Sequence, residues 1–204
     1  KAAEACKLCI DEAEKAGYKL YKEYNDDGSI DPFMSTYNVH LKRWSEGNRE
    51  ITFPVTKGNA YKQIDGLLNW CSVREVGGGN GLGVYQGLVD AFFTKNGLPI
   101  SDVNSNYNEE GFSNAVDTRN TKWEYGTGKP GEVTAKHTYN MYCNREPRFY
   151  NAVTYNGAWL TYVNRKVDMF YNHKDNIQSS SPHDAPQNGY LLRKAICMTD
   201  NIKT

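Results

Sequence analysis

The stretch 98–133 constrains this chain more than any other. It is polar throughout, carries Asn104, Asn106, Asn108, Pro130 and several glycines, and shows neither the 3.6-residue nor the two-residue apolar period. A segment of that length without period predicts long loops. The expectation is an α+β fold with much irregular structure. At 204 residues the chain is long enough to bury a core without staples, and 1–204 is read as one domain fragment. The first helix begins in mid-pattern at Lys1 with no capping residue, as expected of a piece of a larger protein.

Helix signals come early. KAAEACKLCIDEAEKAG predicts a helix to Ala16 with Gly17 just past its end. Asp31 followed by Pro32 predicts the cap and first position of a second helix, with Phe33, Tyr37, Leu41 and Trp44 on one face. That spacing assigns Trp44 to the core. REITFPV at 49–55 predicts a strand. VYQGLVDAFFTKN at 84–96 predicts a third helix with Tyr85, Leu88, Val89, Phe92 and Phe93 along one side, and Thr134 a cap for a short helix through 144. Strands are expected near 148–155, 166–171 and 190–196.

Charge and metal motifs exclude more than they suggest. The formal net charge is zero, so no broad field invites nucleic acid. No apolar run approaches the roughly 18 residues of a membrane span. Cys6 and Cys9 form a CxxC inside the first helix, without the second pair a zinc site needs, and are expected to pack as small hydrophobes. Five cysteines are an odd number for a disulfide framework. GGGNGLG at 77–83 fails the spacing of a dinucleotide loop and lacks the lysine of a P-loop. Glu23, Asn25 and Asp27 sit at the spacing of a calcium loop, with Met34 where the bidentate glutamate belongs; a solvated turn is the expectation, a weak calcium site the alternative. His40, His137, His173 and His183 are scattered, and the acidic pair Glu109–Glu110 lies in an Asn-rich loop. No catalytic residue, metal site or cofactor is assigned.

The aromatic residues are the positive signal. Fifteen tyrosines and four tryptophans occur in an asparagine-rich chain, several of them in segments that lack period, among them Trp123, Tyr125, Trp159 and Tyr162. A ring face stacks on the apolar C–H face of a sugar while amides bind its hydroxyls, so exposed rings beside amides suit a glycan platform. Trp70, before the glycine-rich loop, and Trp159, after the Asn156-Gly157 turn, are the expected stacking residues, with Tyr162 and Asn156 as neighbours.

One segment raises a sharper question. NREPRFYNAVTYNG at 144–157 sets Arg145, Glu146 and Arg148 around Pro147. Proline restricts Glu146 to extended geometry and fixes its own φ, which predicts a structural corner launching a strand at Arg148. Phe149, Asn151, Val153 and Tyr155 would share one face. Arg145 or Arg148 is expected to bridge to loop carbonyls or a carboxylate.

REPRF with Asn156-Gly157 resembles the SusD-like (RagB/SusD) family of outer-membrane nutrient-binding lipoproteins. AAEACKLCIDEAEKAGYKLY, GLVDAFFTKNGLPISD and GYLLRKAICMTDN resemble further family segments in the same order. The resemblance implies a central fragment, without most of the family's tetratricopeptide-like helices. It implies non-catalytic glycan binding in starch or glycan utilisation by Bacteroidetes-type cells. The site would be the outer-membrane surface, reached through a lipid anchor outside these residues, and the partner a SusC-like TonB-dependent transporter. The alternative is a structural, protein-interaction or peptide-binding module of the same uptake complex.

Overall fold

The computed structural model describes residues 1–52, 69–115, 117–118, 132–160, 165–177 and 186–194. It divides into two compact units, Lys1–Ala60 and Tyr61–Thr204. Short helices and two-stranded antiparallel sheets alternate with irregular chain, which is the α+β class expected.

In the first unit, α1 (Ala2–Lys15) is built from strong helix formers and has Glu4 in its first turn and Lys15 in its last, both favourable to the helix dipole. It ends as expected: Gly17 has φ +88° and donates its N–H to the Glu14 carbonyl at 3.0 Å. None of its residues is buried. Cys6 and Cys9 are exposed, which corrects the expectation that they pack. Helical period marks an apolar face but cannot supply the element that covers it.

The calcium-like loop is a hairpin. Strand β1 (Glu23–Tyr24) pairs with β2 (Ile30–Asp31), and the side chains at the calcium-type positions make hydrogen bonds within it and to its neighbours. Asp27 Oδ1 accepts from Ser29 N at 2.9 Å and Ser29 Oγ at 2.6 Å, Asn25 Nδ2 donates to Ser29 Oγ, and Glu23 Oε1 accepts from Asn38 Nδ2 and from the Tyr21 hydroxyl. Asp31 then caps α2 (Pro32–Asn38): its Oδ1 accepts from Phe33 N and Met34 N at 3.0 and 2.9 Å.

That helix stops at Asn38, six residues short of Trp44. Trp44 opens a separate 3-10 turn, Trp44–Glu46, and is 47% exposed, so the core assignment is corrected. Its ring meets the Tyr18 ring edge-on at 5.1 Å and carries the Arg49 guanidinium 3.7 Å above its centroid. Such surface contacts are weak. Trp44→Ala should therefore cost about 1–2 kcal/mol of folding stability rather than the roughly 3–5 kcal/mol of a buried tryptophan, as read from urea unfolding. Arg49 to Thr52 are not in a strand. Phe53, Pro54 and Val55 lie outside the described residues.

In the second unit the predicted helix over 84–96 shrinks to α3 (Gln86–Ala91), with Val89 its buried residue. Tyr85, Leu88 and Phe93 are exposed. Tertiary pairing ends the helix early: Phe92 is extended, Thr94 bridges Arg145, Lys95 N donates to the Asn144 carbonyl, and Glu146 N to the Phe93 carbonyl. The segment 132–144 is not the expected helix. β4 (Glu132–Thr134) pairs with β3 (Asp117–Thr118), His137 takes φ +63°, and a 3-10 turn follows at Asn140–Tyr142. A left-handed residue in mid-segment is incompatible with one continuous helix.

The REPRF segment also differs. Glu146 is extended at φ −64°, ψ 155°, as a residue before proline should be, but Pro147 opens helix α4 (Pro147–Ala152) rather than a strand. Extended geometry followed by a fixed φ near −65° is equally the geometry of a helix N-cap and first position. The alternating faces predicted for 148–155 are replaced by a helix in which the consecutive residues Phe149, Tyr150 and Asn151 are all buried, so most of its circumference is covered. Strand β5 (Val153–Thr154) follows and pairs with β8 (Leu191–Leu192), while β6 (Trp159–Leu160) pairs with β7 (Arg165–Lys166). The strands expected over 166–171 and 190–196 are thus two residues each where described. Tyr142, Phe149, Tyr150 and Tyr155 pack ring on ring with centroids 4.7–6.4 Å apart, forming the aromatic centre of the core.

Candidate functional site

The charge cluster of NREPRF is a structural knot. Arg145 is 0% exposed. Its Nη2 donates to the Val89 and Phe92 carbonyls at 2.6 and 2.8 Å, and its Nη1 to the Met141 carbonyl at 2.9 Å. Those carbonyls lie at the C-terminal ends of α3 and of the 3-10 turn, where helical backbone lacks partners of its own and favours a cation. The guanidinium lies 4.9 Å from the Phe149 ring centroid, and burial lowers its pKa. The Arg145 N–H donates to the Tyr150 hydroxyl, which donates to the Tyr142 carbonyl. Glu146 accepts from Phe93 N at 2.9 Å and from Arg148 Nε at 2.5 Å. The sequence predicts such a bridge for one arginine or the other; both make one, Arg145 to carbonyls and Arg148 to a carboxylate.

Ligand-accessible chemistry lies elsewhere. Trp70 is 52% exposed on a platform that its own neighbours build. Gly79 N donates to the Asn69 carbonyl at 2.7 Å, Asn80 N to the Ser72 carbonyl at 3.1 Å and Leu82 N to the Trp70 carbonyl at 2.9 Å. These bonds fold the glycine-rich loop back on the indole. A Cβ at Gly81 would lie 2.3 Å from Trp70 Cε3, and one at Gly79 3.0 Å away. Gly79 and Gly81 thus serve close approach to the ring, while Gly78 lies against the Ser72 carbonyl and Gly83 against the Asn188 side chain. The far end of the loop is tied down where Gly83 bridges Leu191 and Leu192 N donates to the Leu82 carbonyl at 3.0 Å. One flank of the indole is packed and about half of it faces solvent.

The other expected residues are placed differently. Trp159 lies in β6 and is 9% exposed. Its carbonyl accepts from Arg193 Nη2 at 3.1 Å. Asn156 is half-buried, with Oδ1 accepting from Met169 N at 2.7 Å; its amide braces the turn in which Gly157 has φ +93°. Tyr162 and Trp123 lie outside the described residues. Of the described three, Trp70 is exposed, Trp159 is buried and Asn156 is half-buried. Sequence reasoning passed over other exposed rings, notably Phe112 and Tyr139, whose centroids are 4.3 Å apart, and Phe170 and Tyr171. All four stand within two residues of an asparagine or a glycine in polar segments, a signal that could have marked them.

Among the described residues no group of His, Cys, Asp or Glu is arranged to hold a metal ion, and no helix is long and apolar enough to cross a membrane. The SusD family model matches residues 48–204. The chain belongs to the SusD family, whose members are in general nutrient-binding proteins of the outer membrane that act without catalysis. The match begins after α1, so that helix, one of the four segments behind the resemblance, is outside it, while the REPRF, LVDAFF and GYLLRK segments are inside. No curated protein matches the chain.

Proposed function

We propose that this chain is part of a non-catalytic glycan receptor held at the outer-membrane surface by a lipid anchor. Flanking tetratricopeptide-like helices would complete it, and it would deliver captured oligosaccharide to a SusC-like TonB-dependent transporter. The observation that carries this reading is the Trp70 platform. A half-exposed indole braced from behind by glycine backbone loses little entropy when a sugar ring stacks on it. Capture by stacking and amide hydrogen bonds is individually weak, which suits a protein that must release its cargo.

A glycan array followed by calorimetric titration tests the reading. Trp70→Ala should weaken binding of the best glycan by about 1–3 kcal/mol, as loss of an aromatic anchor does. Because the ring is half exposed, the melting temperature should fall by only a few degrees. Gly81→Ala should reproduce much of the loss with the indole still present, since the added carbon forces the ring to shift. If Trp70→Ala binds glycan like the wild type, the platform is not the site.

A further inference from the structure

A second concave surface lies in the 61–204 unit, away from any residue assigned above to ligand. It is a cleft of about 200 Å³ lined by Asn106, Tyr107, Asn108, Asn140, Cys143 and Asn144, with Thr94 at its edge. Three short elements converge to make it: the turn after α3, the 105–108 loop, and the 3-10 turn with the residues leading into Pro147. The Arg145 knot holds all three. The guanidinium fastens the end of α3 and the 3-10 turn, and lies 5.5 Å from the Tyr107 ring centroid. The walls are therefore fixed from beneath, and Asn140 is further pinned by donating Nδ2 to the Glu110 carbonyl at 2.6 Å.

The lining chemistry is narrow. Asn106 brings a side-chain amide, Asn108 its NH2 (its Oδ1 accepts from Glu110 N at 3.1 Å), Asn140 its carbonyl oxygen (its Nδ2 donates to the Glu110 carbonyl), and Tyr107 adds a half-buried ring. That mixture matches hydroxyl groups, each of which donates one hydrogen bond and accepts others. No Lys, Arg, His, Asp or Glu lines the cleft, and the residues that follow Asn108 are Glu109 and Glu110. Lys95 follows Thr94 and Arg145 follows Asn144, so charges of both signs flank the cleft, but no lining residue carries a cation to pair with an anion. The volume lies below the roughly 300–1,000 Å³ of pockets that enclose drug-sized ligands, so it suits one ring rather than a chain. The rings of Phe112 and Tyr139 stand exposed in the same region: Tyr139 precedes Asn140, and its carbonyl accepts from the Cys143 thiol at 3.6 Å.

We propose that this cleft is a subsite for a single neutral, hydroxyl-rich ring: one residue of an uncharged glycan, held by amides and the Tyr107 ring, with uronic or sulfated sugars disfavoured. The proposal rests on the glycan-receptor reading and adds a second contact point and a charge selectivity to it.

Two of the asparagines, Asn106 and Asn144, have φ +55°, so a purely conformational role must be separated from a binding one. Glycine does that, because it keeps left-handed backbone without strain while removing the amide. The experiment uses the Asn106→Gly/Tyr107→Phe double variant of the full chain. The probes are maltotriose, xylotriose and mannotriose as neutral sugars and trigalacturonate as the anionic one. Binding is followed by titration and by shifts of side-chain amide and indole NMR signals. The expected result is that at least one neutral trisaccharide shifts the asparagine side-chain signals, that trigalacturonate does not, and that the double variant binds about tenfold more weakly, as for loss of one or two neutral hydrogen bonds. If neutral sugars shift the Trp70 indole alone and the double variant binds like the wild type, the cleft is overturned and the platform stands. If trigalacturonate occupies the cleft as well as the neutral sugars do, the selectivity is overturned. If no probe shifts either set of signals, both readings fall.

Discussion

Arg145→Ala should destabilise the fold by about 3–5 kcal/mol, the cost of truncating one member of a fully buried charged network. Arg148→Ala, three residues on, should cost about 0–1 kcal/mol, because Arg148 is 59% exposed and an exposed ion pair contributes little. The sequence treats the two arginines of REPRF alike; the structure separates them by what each removal leaves behind. Without Arg145, the carbonyls of Met141, Val89 and Phe92 lose a charged donor in a buried or part-buried setting, and a buried unsatisfied acceptor costs roughly 1–3 kcal/mol. Without Arg148, Glu146 still accepts from Phe93 N. Arg145→Lys should recover only part of the loss, since an ammonium cannot present the planar fork that reaches three carbonyls from one position. Urea unfolding with far-ultraviolet circular dichroism is the measurement. Equal destabilisation by Arg145→Ala and Arg148→Ala would remove the basis for calling Arg145 the knot.

What was legible in the sequence was what depends on near neighbours. Asp31 before Pro32 specifies a cap through contacts within three residues, and the cap is present. Gly17, Gly47 and Gly97 stand at turns, with φ of +88°, +90° and +74°, because only local sterics decide there. The α+β class followed from short periodic segments, and the family from motifs in order. What was not legible depends on a distant partner. The 84–96 segment has a helical period throughout, yet Phe92 to Lys95 peel away to pair with 144–146, some fifty residues on. Proline at 147 specifies one extended residue and one fixed φ, and both a strand and a helix can follow that pair. The exposure of tryptophans was the least legible, since it depends on what covers each ring. Trp44 has helical spacing yet lies half exposed, Trp159 follows a turn yet is buried, and Trp70 is half exposed with one flank packed on the backbone of Gly79 and Gly81.

Phe149→Ala should also cost about 3–5 kcal/mol, the range for deleting a fully buried aromatic ring from a core that cannot collapse around the cavity. Phe149 is 0% exposed and meets Phe92, Tyr142, Tyr150 and Tyr155 with centroids 5.1–6.4 Å away, so four rings lose a neighbour at once. It also lies beneath the Arg145 guanidinium at 4.9 Å. The two residues are four apart across Pro147, and because Pro147 starts a helix, the first turn of α4 carries the ring back beneath the arginine. Had Pro147 launched a strand, as the sequence suggested, Phe149 would have pointed along a sheet face and away from that charge. The coupling is therefore a direct test of the helix. In a double-mutant cycle, Arg145→Ala with Phe149→Ala should be less destabilising than the sum of the singles by about 1 kcal/mol or more, as for residues in contact within one network. Phe149→Leu should recover much of the stability lost in Phe149→Ala and little of the coupling, because it refills volume without restoring a π face to the cation. Additive singles would mean that the guanidinium and the ring stabilise the fold independently, and that the spacing of REPRF reflects packing alone.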